Sequence, residues 1–332
     1  MVVGGAACGW LLFQQQKEFD RLSQEHEQKF LEHEALVEAQ RNSSQVSRMV
    51  GILDEVRSFV REHPGDSLPQ PMVDRIATLS QSFKPYRYFQ GDSLSPTRLS
   101  PERGQLLASL AVIGLDSNSF ARIKKVTDFS LADMRGVVLP GADFSGAHLR
   151  GANLSETKLR HANLRSADLQ SALLWAADLD SANLSGVNMR YANAQWALMN
   201  GIVMVKGNLN GADIGNAKLR GAYCRKTNFR FAHGKGAMLI EANMELVDFL
   251  ASDLSKANLT RCDLDTTNLR LVRFADAVMD EISLNATRVG QESWEKVLDE
   301  WNWSGAFPLS SKYVLQKDST KMFEAAYILK SN

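Results

Sequence analysis

The chain is poor in the residues that staple or punctuate a fold, with three cysteines (Cys8, Cys224 and Cys262) and eight prolines in 332 residues. Cysteines so few and scattered supply neither a disulfide framework nor a Cys-based zinc site, so stability must come from packing. Neither sign of charge dominates, with 38 Lys and Arg against 38 Asp and Glu. That balance excludes recruitment of nucleic acid by bulk charge. Catalytic signatures are missing as well: there is no glycine-rich phosphate loop, metal-ligand spacing or nucleophile elbow. His148, His161 and His233 have no second ligand or nucleophile at suitable spacing, and Glu241 with Glu245 reads as part of a solvated face. No catalytic, cofactor-binding or metal-ligating residue is assigned, and the chain does not read as an enzyme.

The longest apolar stretch is Met1 to Phe13, which carries no charge. Thirteen helical residues rise only about 20 Å, short of the ~30 Å hydrocarbon core of a bilayer. The stretch also lacks the basic start of a signal peptide, and Gly5-Ala6-Ala7-Cys8 lacks the large apolar residue of a lipoprotein site. Residues 1–13 are read as a short membrane tether. A disordered or packed start remains the alternative, with a cytoplasmic location.

Residues 14–63 lack proline and alternate in charge, which predicts a helical stalk. Phe19, Leu22 and Leu36 take heptad-like places, interrupted by His26, Lys29 and His33. Val46, Met49, Leu53, Val56 and Val60 then form a stripe able to pack on the same domain or on a sister helix. Pro64-Gly65 ends this helix. Residues 64–100 read as a mostly irregular linker with a short helix near Val73 to Ser82. Ser100 and Pro101 then make a good helix start, so residues 101–126 are predicted as an N-terminal capping helix with an apolar stretch from Gln105 to Leu115.

From Phe129 to Leu284, every fifth residue belongs to one apolar series of 32 positions whose phase never slips, and 29 of them are Leu, Phe, Met or Ile. The exceptions are Ala194, Cys224 and Gly234. Two residues before each of these positions, 19 of 32 are Ala, and one residue before, 19 of 32 are Asp or Asn. A fixed period held this long means a solenoid. Period five fits neither helix nor strand indefinitely, so the chain must turn once per repeat with the large and the small apolar residue inward. Glycine at the second position after the apolar residue, in nine repeats, supports a tight bend there.

Ala152-Asn153-Leu154, Ala162-Asn163-Leu164, Ala167-Asp168-Leu169, Ala182-Asn183-Leu184 and Ala257-Asn258-Leu259 match the motif of the pentapeptide-repeat family, which residues 127–286 therefore resemble. The resemblance implies a mainly β fold, a right-handed four-sided β-helix solenoid in which four repeats make one coil. About eight coils follow, stacked into a rod of roughly 38 Å. Ala194, Ile214 and Gly234 then share one side, where the thinned core predicts a local irregularity. Cys224 and Cys262 point inward on one side about two coils apart, too far for a disulfide. The open edge at each end of the rod needs covering. Helix 101–126 is expected to cap the first coil. Residues 287–332 would cap the last through Trp294, Val297, Leu298, Trp301, Trp303, Tyr313 to Leu315 and Met322 to Leu329, making helical caps at both ends.

With no pocket expected inside such a rod, function must lie on its walls. The two bend positions of each repeat carry 14 basic and 8 acidic residues. Some family members act on DNA gyrase by presenting an acidic, DNA-like rod, but an outward positive excess does not serve such mimicry. A cytosolic protein that binds a type II topoisomerase is therefore the alternative reading.

Arg150, Arg190, Arg230 and Arg270 recur at every eighth repeat on one side, and Tyr191 and Phe231 directly follow two of them. This basic and apolar strip is one candidate partner-binding face, the alternative being arginines that keep a long sheet soluble. Four charges are few for nucleic acid, which is not expected as a partner. Trp175 and Trp196 form a second candidate face, unless Trp196 folds over to fill the space left by Ala194. The reading is a noncatalytic binding or scaffold protein of bacterial type, held near a membrane by its N-terminus. Its partner is a protein whose identity the sequence does not name. Homodimerisation through the C-terminal cap or the N-terminal helix, and membrane contact at residues 1–13, complete the expected interactions.

Overall fold

One five-residue repeat cannot close a coil, but four can: residue n pairs with residue n+20 in parallel from Asp133 to Arg288. Each coil of four repeats contains four such pairings and four turns, which gives the prism four walls and four corners. The walls are single bridges rather than regular strands, because the chain turns again after every third residue. The structure, a computed structural model, describes residues 3–90, 93–291, 294–301, 312–317 and 327–331.

The residue types follow from this geometry. The large residue of each repeat points inward, so Leu154, Leu174, Phe229 and Phe249 are fully buried, and Phe229 stacks on Phe249 at 5.1 Å between ring centres. The alanine two residues earlier is buried as well, a place that Val187, Ile202 and Val247 fill in other repeats. All 19 Asp and Asn residues at the intervening position accept a hydrogen bond through the side-chain oxygen from the backbone N–H two residues on, as Asn163 does from Arg165. These Asx turns hold the corner closed. The residue after the turn adopts a left-handed conformation at every corner, yet only nine of these residues are glycine and 23 are not. Isolated left-handed residues cost roughly 1–2 kcal/mol each. The ladder imposes them, because from Leu131 to Thr266 the N–H of each donates to the next coil, as Tyr191 does to the Asn210 carbonyl.

The thinned column stays regular, contrary to expectation. Asn193, Asp213, His233 and Asp253 keep the coil-to-coil register, and a Cβ on Gly234 would come within 2.8 Å of the Leu254 side chain. Leucine from the next coil fills what glycine leaves. Cys224 and Cys262 are buried and unbridged. Burial alone pushes the Cys224 thiol up to about 12.

Helix α1 runs from Val3 to Glu62, so the stalk is a single helix that takes in most of the apolar start. The side chains of residues 1–12 lie outside the described part. Among the described residues no helix is long and apolar enough to cross a membrane. Met49, Leu53 and Val56 of α1 are buried against its own domain, with Val46 and Val60 at the margin.

The expected linker is instead part of this packing. Helix α2 (Gln70–Ser82) buries Val73, Ile76 and Leu79, and a Glu55–Arg75 ion pair ties it to α1. Phe83 and Tyr86 are buried, and a short hairpin follows from β1 (Phe89–Gln90) and β2 (Ser93–Leu94). The prolines set turns here without preventing burial.

The single capping helix expected over 101–126 is two. Helix α3 (Pro101–Val112) starts on Ser100, whose hydroxyl accepts from the Arg103 N–H. Left-handed Gly114 breaks it, and Asp116 caps α4 (Ser117–Val126). Ser100 pairs in parallel with Ala132 as a rung ahead of the first coil, and Gly104 lies so close to the Asp133 carbonyl that any Cβ would collide with it. The buried Lys124 Nζ donates to the Asp143 carboxylate at 2.8 Å and to the Asp143 carbonyl at 2.9 Å.

The C-terminal cap is mixed rather than helical. Helix α5 (Trp294–Trp301) places the buried Trp301 edge-on against Phe274, 5.2 Å between ring centres. Strands β3 (Thr287–Val289), β4 (Tyr313–Lys317) and β5 (Tyr327–Ser331) form an antiparallel sheet in the order β3-β5-β4. Ala286 donates to the Leu329 carbonyl, so this sheet takes up part of the last coil's open edge. Of the expected capping residues, the side chain of Trp294 and the whole of Trp303 and Met322 lie outside the described residues.

Candidate functional site

Each repeat contributes two residues to a corner, and the four corners differ. Corner one contains residues 150–151 and the pair stacked over or under them in every other coil. Corner two is built in the same way on 155–156, corner three on 160–161 and corner four on 165–166.

Corner three carries a ladder of ion pairs between coils. Arg160 meets Asp180 at 3.5 Å, and Asp180 accepts two hydrogen bonds from Asn200. Arg220 meets Glu241 at 3.3 Å, and Arg261 bridges Glu241 at 3.1 Å and Glu281 at 3.5 Å. At corner four, Glu245 pairs with Arg225 at 2.8 Å. The Glu241 and Glu245 carboxylates are thus engaged in separate ion pairs.

Corner one carries the arginine series, and its electrostatics are different. Arg150 and Arg230 reach carboxylates only at 3.8 and 3.9 Å, on Asp168 and Asp248. Arg190 lies over the Tyr191 ring at 5.4 Å and Arg230 over the Phe231 ring at 5.7 Å, distances that allow cation–π attraction. Tyr191, Phe231 and Leu271 are 55%, 49% and 58% exposed. A Cβ on Gly211 would come within 2.6 Å of the Tyr191 ring, so the ring reclines on the bare backbone of the next coil. Bulky and charged coils alternate with small or neutral ones at Gln170-Ser171, Asn210-Gly211 and Leu250-Ala251. The outcome is a ridge along the rod, apolar on one flank and positive on the other.

Corner two carries the tryptophans. Trp175 is 44% and Trp196 55% exposed, so Trp196 does not fold inward over Ala194. Their backbones sit diagonally on adjacent coils, since the Ala176 N–H donates to the Gln195 carbonyl. Beside them a shallow cleft of about 650 Å³ is lined by Gln195, Asp213, His233, Lys235, Asp253 and Lys256 among others. Asp213 and Asp253 both accept backbone N–H groups. Burial works to raise the Asp253 carboxyl, but hydrogen bonds from Ser255 and the nearby Arg273 charge outweigh it and hold the group below its ordinary value. Among the described residues no cluster could hold a metal ion.

The arrangement brings Arg190 with Tyr191 and Arg230 with Phe231 into direct contact, and it keeps Trp175 and Trp196 on a separate corner. The charge ladder of corner three escaped the sequence reading. Its signal is opposite charge at positions that stack on neighbouring coils, visible only once the coil length is known.

Pentapeptide repeats, in eight copies, match the chain at residues 127–165, 166–204, 208–245, 235–270 and 252–288. Among solved structures, the chain is 22% identical to the pentapeptide repeat protein Rfr23 of the cyanobacterium Cyanothece, over 33% of this chain and 86% of that one, with a TM-score of 0.32. It is 34% identical to a pentapeptide repeat protein of the Arabidopsis thaliana thylakoid lumen, over 29% of this chain and 66% of that one, with a TM-score of 0.28. It is 27% identical to HetL of the cyanobacterium Nostoc, a protein involved in the regulation of heterocyst differentiation, over 48% of this chain and 82% of that one, with a TM-score of 0.29. No curated protein matches.

Proposed function

Residues 127–288 of this chain belong to the pentapeptide-repeat family, and from that premise we propose that the rod is a noncatalytic protein-binding scaffold whose corner one is the docking face. The observation that carries this reading is the contrast between corners. At corner three, charges on successive coils pair at 3.1–3.5 Å, whereas at corner one Arg190 and Arg230 lie over exposed aromatic rings. Arginine and aromatic side chains are the groups that most often dominate binding energy at protein interfaces. The tryptophans of corner two offer a second face by the same reasoning.

A surface that imitates DNA finds no support at the corners. The motif aspartates accept backbone N–H groups within their own turns, and the corner residues carry a basic excess. A partner suited to corner one is acidic and apolar. The test is a pull-down from expressing cells with two variants, one with Arg150, Arg190, Arg230 and Arg270 all changed to Glu, the other with Trp175→Ala and Trp196→Ala. Loss of specific partners from the arginine variant is expected. Unchanged recovery with both variants would refute the assigned faces.

A further inference from the structure

Helix α1 presents a surface that matches the ridge. Phe13, Phe19, Leu22, Phe30, Leu36 and Val37 of α1 are all exposed, Phe30 by 68%. From Glu18 to Glu38 the chain has seven acidic residues against two basic ones, Arg21 and Lys29. An acidic residue followed three positions later by an apolar one recurs after seven residues, as Glu27 with Phe30 and Glu34 with Val37, and Asp20 begins the same row. Seven helical residues rise about 10.5 Å. On the ridge, an arginine followed by an apolar residue recurs on every second coil, at Arg190-Tyr191, Arg230-Phe231 and Arg270-Leu271. Two coils at the spacing of paired strands rise about 9.6 Å. The two repeats drift apart by about 1 Å per step, which long arginine side chains absorb. Lengths agree too, because residues 13–40 as helix span about 42 Å and the rod about 38 Å.

Pairing α1 with another α1 would set like charges against like and bring His26 and His33 into the seam. Laying it on the ridge sets acid against base and apolar against apolar. Phe30 and Val37 of α1 and Tyr191, Phe231 and Leu271 of the ridge are exposed in the same chain, so the ridge is not covered by its own helix. We propose that corner one receives the acidic half of helix α1 from a second copy of this chain. This rests on the reading of corner one as the docking face.

The test uses the full chain in sedimentation velocity, with circular dichroism to confirm folding. One variant carries R190E, R230E and R270E, the other D20K, E27K and E34K. Wild type is expected to self-associate more weakly as salt is raised, and each variant alone to associate at least about tenfold more weakly. Mixing the two variants is expected to restore association, because each then offers the charge the other lacks. Wild type that stays monomeric at all concentrations, or association that survives the arginine reversal, overturns the proposal. If the arginine reversal abolishes partner recovery in the pull-down while wild type is monomeric, corner one remains a docking face and only the second copy falls. If the reversal changes neither measurement, both readings fall.

Discussion

The rod and residues 13–40 of helix α1 both carry repeating rows, one in strict fives and the other in interrupted sevens, yet one buries its large apolar residues and the other exposes Phe13, Phe19, Phe30 and Leu36. The difference lies in closure. Four fives return the chain to its starting wall, so each coil becomes the template for the next and every large side chain meets its own kind. A heptad row closes on nothing within the same helix. Periodicity therefore specifies geometry in both regions but supplies a partner only in the rod.

Core substitutions test this contrast most strongly. Phe249→Ala, deep in the stacked column, is expected to cost about 3–5 kcal/mol of unfolding free energy, whereas Phe19→Ala on α1 should change it by less than about 0.5 kcal/mol. Denaturant unfolding of both variants checks this, and comparable losses would mean that α1 is packed after all. The joint between the rod and its helical cap ranks next. Gly104→Val places side-chain atoms where α3 meets the Asp133 carbonyl, and a loss of about 1–3 kcal/mol is expected, as for overpacking. Hydrogen exchange should report it as faster opening at residues 131–133.

A third test concerns the ion pair under α4. Burial raises the Asp143 carboxyl, but hydrogen bonds from Lys124 and Ser145 outweigh it and leave the group below its ordinary value. A folded-state value below the unfolded one contributes stability that is complete above about pH 4 and is lost as pH falls through the folded value. The stability gap between wild type and Asp143→Asn should thus narrow on going from neutral pH to about pH 3. A constant gap would assign the Asp143 contribution to packing. The smallest effect belongs to a corner. Gly141 is left-handed with no atom within 4 Å of an added Cβ, so Gly141→Ala should cost only about 1 kcal/mol, read as a small shift in the denaturation midpoint.

The rod was legible because each repeat states its own geometry. Leu154 buried, Asn153 turning the chain and Ala152 tucked inside follow from one five-residue rule. The N-cap at Ser100 and the buried stripe from Met49 to Val56 were legible for the same local reason. Features that depend on contacts across sequence were not. The burial of Leu68, Phe83 and Tyr86 in a proline-rich stretch depends on helices that lie before and after it. Leu254 compensates for Gly234 from the neighbouring coil. The arginines at corner one were visible as a series, but their difference from Arg220 and Arg261 was not, because ion pairing depends on which residues the coil stacks together.

The left-handed corners have a consequence for how such a molecule changes over time. Since 23 of these bends already hold a residue other than glycine, the backbone there is held by the coils above and below and not by the identity of the residue itself. The outer side chains can then be exchanged for acids, bases or aromatics while the shaft keeps its pitch. A lineage can rewrite what the column recognises, one storey at a time, without rebuilding what makes it stand.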